Sequence, residues 1–132
     1  MKKLIILLIF SIHVFADESW TLLHEDNANQ SAYYVKLDNF QMLENKVRLW
    51  VMESFNVPQK ANSITYNSLK SLVQVDCIAE QLRYMAYSIY KDKKALGQAI
   101  YSKGSPSEWI KINPNTVNSA YMSIACQEAK SN

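Results

Sequence analysis

The sequence predicts an α+β domain: an antiparallel β-sheet with one C-terminal helix packed on one face. Three observations predict it. Segments in which apolar and polar residues alternate follow one another from residue 19 to residue 102, and aromatic residues make up 11% of the chain, which suits strands. The clearest helical period comes last, after residue 113. A run of strands followed by one helix closes as a sheet with the helix laid across it. With only two glycines and three prolines, collagen-like and disordered readings fail.

Residues 1–16 read as a secretory leader. Lys2 and Lys3 form a positive start, Leu4 to Phe10 is unbroken apolar chain, and Val14-Phe15-Ala16 offers small residues to a signal peptidase before Asp17-Glu18 turns acidic. The apolar stretch falls short of the ~20 residues that span a bilayer, so cleavage is expected rather than an anchor. No cysteine stands at the cut, so no lipid anchor is expected, and no later segment is long and apolar enough to span a membrane. The expected product is one soluble, exported domain, residues 17–132.

Ser19 to His24 is a short strand candidate, followed by a polar turn from Glu25 to Gln30. Ser31 to Leu37 is rich in β-formers, and Asp38-Asn39 breaks it. Leu43-Glu44-Asn45 turns the chain into the clearest strand, residues 46–55. There Val47, Leu49, Val51 and Phe55 share one face, opposite Arg48, Trp50, Met52 and Ser54. Residues 56–63 hold Pro58 and several polar residues and read as a loop. Residues 66–77 alternate again. In residues 81–90, Leu82, Met85 and Ile89 have helical spacing, but Tyr84, Tyr87 and Tyr90 favour a strand. Residues 91–95 turn, residues 96–102 read as a strand, and Gly104-Ser105-Pro106 stops it.

The tail changes period. Asn113-Pro114-Asn115-Thr116 supplies a helix entry, and Val117, Ala120, Tyr121 and Ile124 recur at i, i+3, i+4 and i+7. Cys126 stands about opposite that stripe, so the helix is expected to end near it or to meet the sheet at its edge.

Cys77 and Cys126, in an exported chain, read as one disulfide. A zinc site needs about four ligands, and the expected mature chain offers two cysteines and His24. No Cys-x-x-Cys suggests redox work. The leader carries two of the 14 Lys and Arg and none of the 12 Asp and Glu, so the mature chain is neutral, with no electrostatic case for nucleic acid or anionic membrane. The basic run Lys91-Asp92-Lys93-Lys94 reads as a solvated turn.

No catalytic residue or metal ligand set emerges. His24 with Glu25 and Asp26 is explained by a surface turn, and two glycines cannot build a nucleotide-binding loop. Asp76 and Arg83 are spaced to pair across a turn. Both faces of the sheet carry apolar residues, and one helix covers one of them. The other, with Trp50 and Met52, is then either incompletely covered by loops or a Tyr- and Trp-rich surface for a second copy or a ligand.

The order of Trp20, Tyr33-Tyr34-Val35, Val47-Arg48-Leu49-Trp50-Val51, Lys70-Ser71, Val75-Asp76-Cys77, Arg83, Gly97, Glu108-Trp109-Ile110-Lys111-Ile112, Pro114, Thr116 and Cys126 resembles the bacterial surface-adhesin protein E family. The resemblance spans nearly all of the mature chain. It implies a sheet of about six strands, a C-terminal helix tied by the cysteine pair, and no enzymatic activity. It also implies adhesion to host matrix or serum proteins, a homodimer, and haem binding. Asn115 stands where the family carries glycine; asparagine tolerates a left-handed backbone, which would preserve the turn. No ligand-binding residues transfer. Two other readings stay open: a periplasmic ligand-binding protein with haem as ligand, for which His24, Met52 and tyrosines are conceivable axial ligands, and an envelope-associated factor with no ligand.

Overall fold

The described residues of this computed structural model are 20–131, and the predicted leader lies outside them. Among them are strands β1 (Thr21–Asp26), β2 (Ser31–Val35), β3 (Gln41–Leu43), β4 (Lys46–Ala61), β5 (Ile64–Asp76), β6 (Gln81–Tyr90), β7 (Tyr101–Lys103) and β8 (Ile110–Lys111), then helix α1 (Val117–Ser131). They form one sheet of order β1-β2-β4-β5-β6-β7, with β3 on β4 and β8 on β6, and every pairing is antiparallel.

The register puts the apolar positions of neighbouring strands side by side. Val47 faces Val75 and Leu49 faces Val73 across β4 and β5, Val75 meets Leu82 on β6, and Val35 on β2 meets Val51. Tyr121 and Ala125 of α1 close over this row, with Ile112 beside them. Val35, Val47, Val73, Val75 and Leu82 are fully buried, and burial of each such side chain stabilises by about 1.5–3 kcal/mol.

The helix starts on a reciprocal cap. Thr116 Oγ1 accepts from the Ser119 amide at 3.2 Å, and the Thr116 amide donates to Ser119 Oγ at 3.0 Å, satisfying two groups the first turn would leave unpaired. Asn115 sits at φ 62°, the left-handed position the turn requires. The buried stripe is wider than the spacing suggested. Tyr121 and Ala125 are buried, and Val117, Met122, Ile124, Cys126 and Ala129 pack against the same core, whereas Ala120 is not among them. That extends the core face toward Cys126 and carries the helix past Cys126 to Ser131.

Three further expectations change. Residues 56–61 continue β4 instead of forming a loop. Pairing with β5 lapses between Ser54 and Gln59, so Pro58 needs no ladder hydrogen bond, and it resumes to Ala61 opposite Ile64. Asn62 at φ 47° and Ser63 at φ 73° then make a tight hairpin. Residues 96–100 are not strand. Ala95 at φ 56° and Gly97 at φ 81° break the extension, and only Tyr101–Lys103 pairs with β6. Asp76 and Arg83 do not pair: Asp76 accepts from Asn45 and turn amides, and Arg83 Nε donates to Gln74 Oε1 at 2.9 Å.

The face opposite the helix is roofed over much of its apolar area. Met52, predicted to be on an open face, is fully buried. Residues 91–95 fold over it. The Ala95 amide donates to Ser68 Oγ at 2.9 Å, Ser68 Oγ donates to the Asp92 carbonyl, and Lys94 reaches the Tyr34 ring at 5.6 Å. Ser68 is on β5 and Tyr34 on β2, so the segment crosses β4 between them, above Met52.

Candidate functional site

Along the helix side of the sheet, α1 covers only one end. The disulfide between Cys77 at the end of β5 and Cys126 (Cα–Cα 5.8 Å) pins the C-terminal half of α1 over Val47 and Val75. The first helical residue, Val117, lies beside Val51, Leu69 and Ser71. Past it the sheet runs on uncovered toward the hairpin of β4 and β5.

That uncovered stretch is a trough rich in tyrosine. Its outer part, about 360 Å³, lies among Ile64, Tyr66, Leu69, Tyr87 and Tyr101. A second hollow of about 410 Å³ adjoins it along Leu69, Ser71, Tyr84 and Tyr87, walled by residues 105–107. A third, smaller pocket at the helix start holds Tyr33, Glu53, Tyr84 and Tyr121. Leu69 lines all three, so they form one continuous surface. Six of the eight tyrosines line it, gathered from β2, β5, β6, β7 and α1. Tyr66 meets Phe55 edge-on at 5.8 Å, and Tyr87 meets Tyr101 at 6.1 Å, so the rings brace one another.

Burial, followed by the Glu53 carboxylate, pushes the Tyr33 and Tyr84 hydroxyls above their ordinary value. Burial pushes Tyr121 higher still.

The opposite face carries the tryptophan chemistry in a closed form. Lys70 lies 4.8 Å from the Trp50 ring centre and Arg83 lies 4.5 Å from that of Trp109. The Tyr-rich surface therefore lies on the helix side, not on the Trp50 face where the sequence placed it. Such a surface offers apolar area, hydrogen-bonding tips and little side-chain entropy to lose, which is what protein interfaces favour.

The other sequence candidates are dispersed. His24 is exposed on β1 and stacks on Tyr33 at 6.2 Å, on the helix side. Met52 points to the other face, so these two cannot hold one iron between them. Among the described residues no group of His, Cys, Asp and Glu is arranged to hold a metal ion. No helix among them is long and apolar enough to cross a membrane. The tyrosine trough escaped sequence reasoning, because its residues span positions 33 to 121 and only the register brings them together.

Solved structures of Haemophilus influenzae protein E share this fold. One crystal form is 13% identical, with TM-score 0.62 over 73% of this chain and 80% of that one. Another structure of the protein is 12% identical, with TM-score 0.61 over 86% of this chain and 97% of that one. The protein from a non-typeable strain is 12% identical, with TM-score 0.58 over 83% of this chain and 78% of that one. No match is found among curated proteins. The family model of surface-adhesin protein E matches residues 20–127, which takes in the whole sheet and most of the helix. The order of short motifs, the antiparallel sheet and the single C-terminal helix agree with that match, and the chain belongs to the surface-adhesin protein E family.

Proposed function

We propose that this is an exported, non-enzymatic, adhesin-like protein whose work is to bind another protein along the tyrosine trough. The observation that carries the reading is the trough between the helix start and the β4–β5 hairpin, lined by Tyr33, Tyr66, Tyr84, Tyr87 and Tyr101, with buried Tyr121 at its inner end. Family membership favours adhesion, and the Cys77–Cys126 disulfide suits an oxidising compartment outside the cytoplasm. Host matrix and serum proteins are the partners to try first.

The test is binding of the exported protein to immobilised matrix and serum proteins, with Tyr66→Ala and Tyr101→Ala as trough variants. Tyr101 is 47% exposed, so its loss leaves the core intact. The expected result is micromolar or tighter binding to at least one partner, weakened about tenfold or more by either variant. Absence of binding across the panel, or binding that ignores both variants, would remove the reading. Protease treatment of intact cells locates the protein: digestion places it on the surface, and protection with release from the periplasm turns the search to envelope partners.

A further inference from the structure

We infer that the inner end of the trough is a cation acceptor, taking the guanidinium or ammonium end of an arginine or lysine from the bound partner between Tyr33, Tyr84, Tyr121 and Glu53. The inference rests on the trough being a protein-binding surface.

Its first support is the composition of the pocket. Three tyrosines and one carboxylate line a small hollow whose remaining walls are Val51, Leu69, Ser71 and Val117. Aromatic faces attract a cation through the ring quadrupole, and a carboxylate among them adds a charge of the right sign. Its volume, about 40 Å³ against about 360 and 410 Å³ for the two adjoining hollows, leaves room for the tip of one side chain and none for a whole small-molecule ligand.

The second support is charge that the fold leaves uncompensated by cations. Glu53 is half-buried, and among the described residues no lysine or arginine forms an ion pair with it. Its neighbours across the sheet are Tyr33 and Leu69. Lys103 lines the adjoining hollow, but it is exposed, so water and salt screen it, and the half-buried carboxylate sets the sign of the pocket.

The third support is a contrast within the molecule. Trp20, Trp50, Trp109 and Tyr34 each carry a lysine or arginine over the ring, at 4.5–5.8 Å. The tyrosines grouped around Glu53 have no such cation among these contacts.

The experiment titrates the exported protein with N-acetyl-arginine methylamide and with the citrulline compound of the same shape and no charge. Ring signals of Tyr33, Tyr84 and Tyr121 are followed by NMR. The arginine probe is expected to shift all three saturably, and citrulline to bind at least tenfold more weakly. Glu53→Gln should reduce arginine binding to the citrulline level. Equal shifts from the two probes in the wild type would overturn the inference without any variant, as would shifts confined to the Glu25–Asp26 turn. Partner binding that Tyr66→Ala abolishes and Glu53→Gln leaves unchanged would overturn the cation site while the protein-binding reading stands. Failure of every partner in the panel would strike that reading instead.

Discussion

At one end of the sheet a single carboxylate oxygen accepts three hydrogen bonds. Asp76 Oδ1 takes the amides of Ala79 at 3.0 Å and Ile78 at 3.1 Å and the Asn45 side-chain amide at 3.0 Å. The Ala79 amide, then that of Ile78 and the Lys46 charge, hold this carboxyl below its ordinary range despite burial. The same corner fixes Cys77, whose amide donates to the Asn45 carbonyl at 3.1 Å. Asp76→Ala removes three part-buried hydrogen bonds to a charged acceptor and is expected to cost about 2 kcal/mol, read from urea unfolding at neutral pH. Because the folded-state value is lowered, the stability it contributes is present above the unfolded value of about 4 and is lost as pH falls through the folded one. The wild type should therefore lose more stability on acidification than Asp76→Ala does; parallel acid profiles would show that the carboxylate charge is idle. The trough tyrosines work with the opposite sign. Tyr121, Tyr84 and Tyr33 are raised above 10.0, so their contribution is complete below pH 10 and is lost as pH climbs through the raised values. Absorbance at 295 nm should show these three ionising late, with unfolding. If all eight tyrosines of the chain ionise together near pH 10 in a folded protein, their burial has been misjudged.

Among the elements, the segment after β6 decides what the second face of the sheet presents. Two neighbouring side chains of β5 hold it: Asn67 Nδ2 donates to the Lys91 carbonyl at 2.7 Å, and the fully buried Ser68 Oγ donates to the Asp92 carbonyl and accepts from the Ala95 amide. Ser68→Ala leaves two backbone groups without partners and is expected to cost about 1–3 kcal/mol. It should also speed hydrogen exchange at the Ala95 amide before the sheet amides change; exchange at Ala95 matching the wild type would mean the turn is held by other contacts. Sequence periodicity could not reveal this roof, because a turn has no period and what it covers depends on the strand order. Where periodicity acts alone it reads well. The strand at Gln81–Tyr90 has the predicted ends, and Val47, Leu49 and Val51 are core as their alternation requires. It failed where tertiary geometry intervenes. Pro58 marks a lapse in pairing rather than the end of β4, and β3 and β8 have three and two residues, too few for a pattern. The helix was legible in place and start, and Val117, Tyr121 and Ile124 of its stripe do meet the core; the extension of the buried face to Ala125, Cys126 and Ala129 was not legible, because the disulfide sets how the helix lies on the sheet. The trough was legible only as a surplus of tyrosine.

For the whole molecule, the question is what holds the helix against the sheet, since the open trough begins where the helix does. Two ties compete for the answer. One is apolar: Tyr121 is 3% exposed and Ala125 fully buried against Val47, Val73 and Val75. The other is covalent, from Cys77 to Cys126 across 49 positions of chain that include β6, β7 and β8. On the chain-entropy model, closing that loop stabilises by about 4 kcal/mol, a large part of the roughly 5–15 kcal/mol available to a domain of this size. Because the tie acts largely on the unfolded chain, its loss need not undock the helix. Cys126→Ser should therefore lower unfolding free energy by about 4 kcal/mol while the folded protein keeps its sheet and helix signals in circular dichroism and the shielding of Tyr121. Cys77→Ser combined with Cys126→Ser should lose no more than either alone, since both remove the same bond. If the single variants instead lose helix signal under native conditions, the disulfide rather than Tyr121 and Ala125 docks the helix. The mouth of the trough would then depend on the redox state of its surroundings.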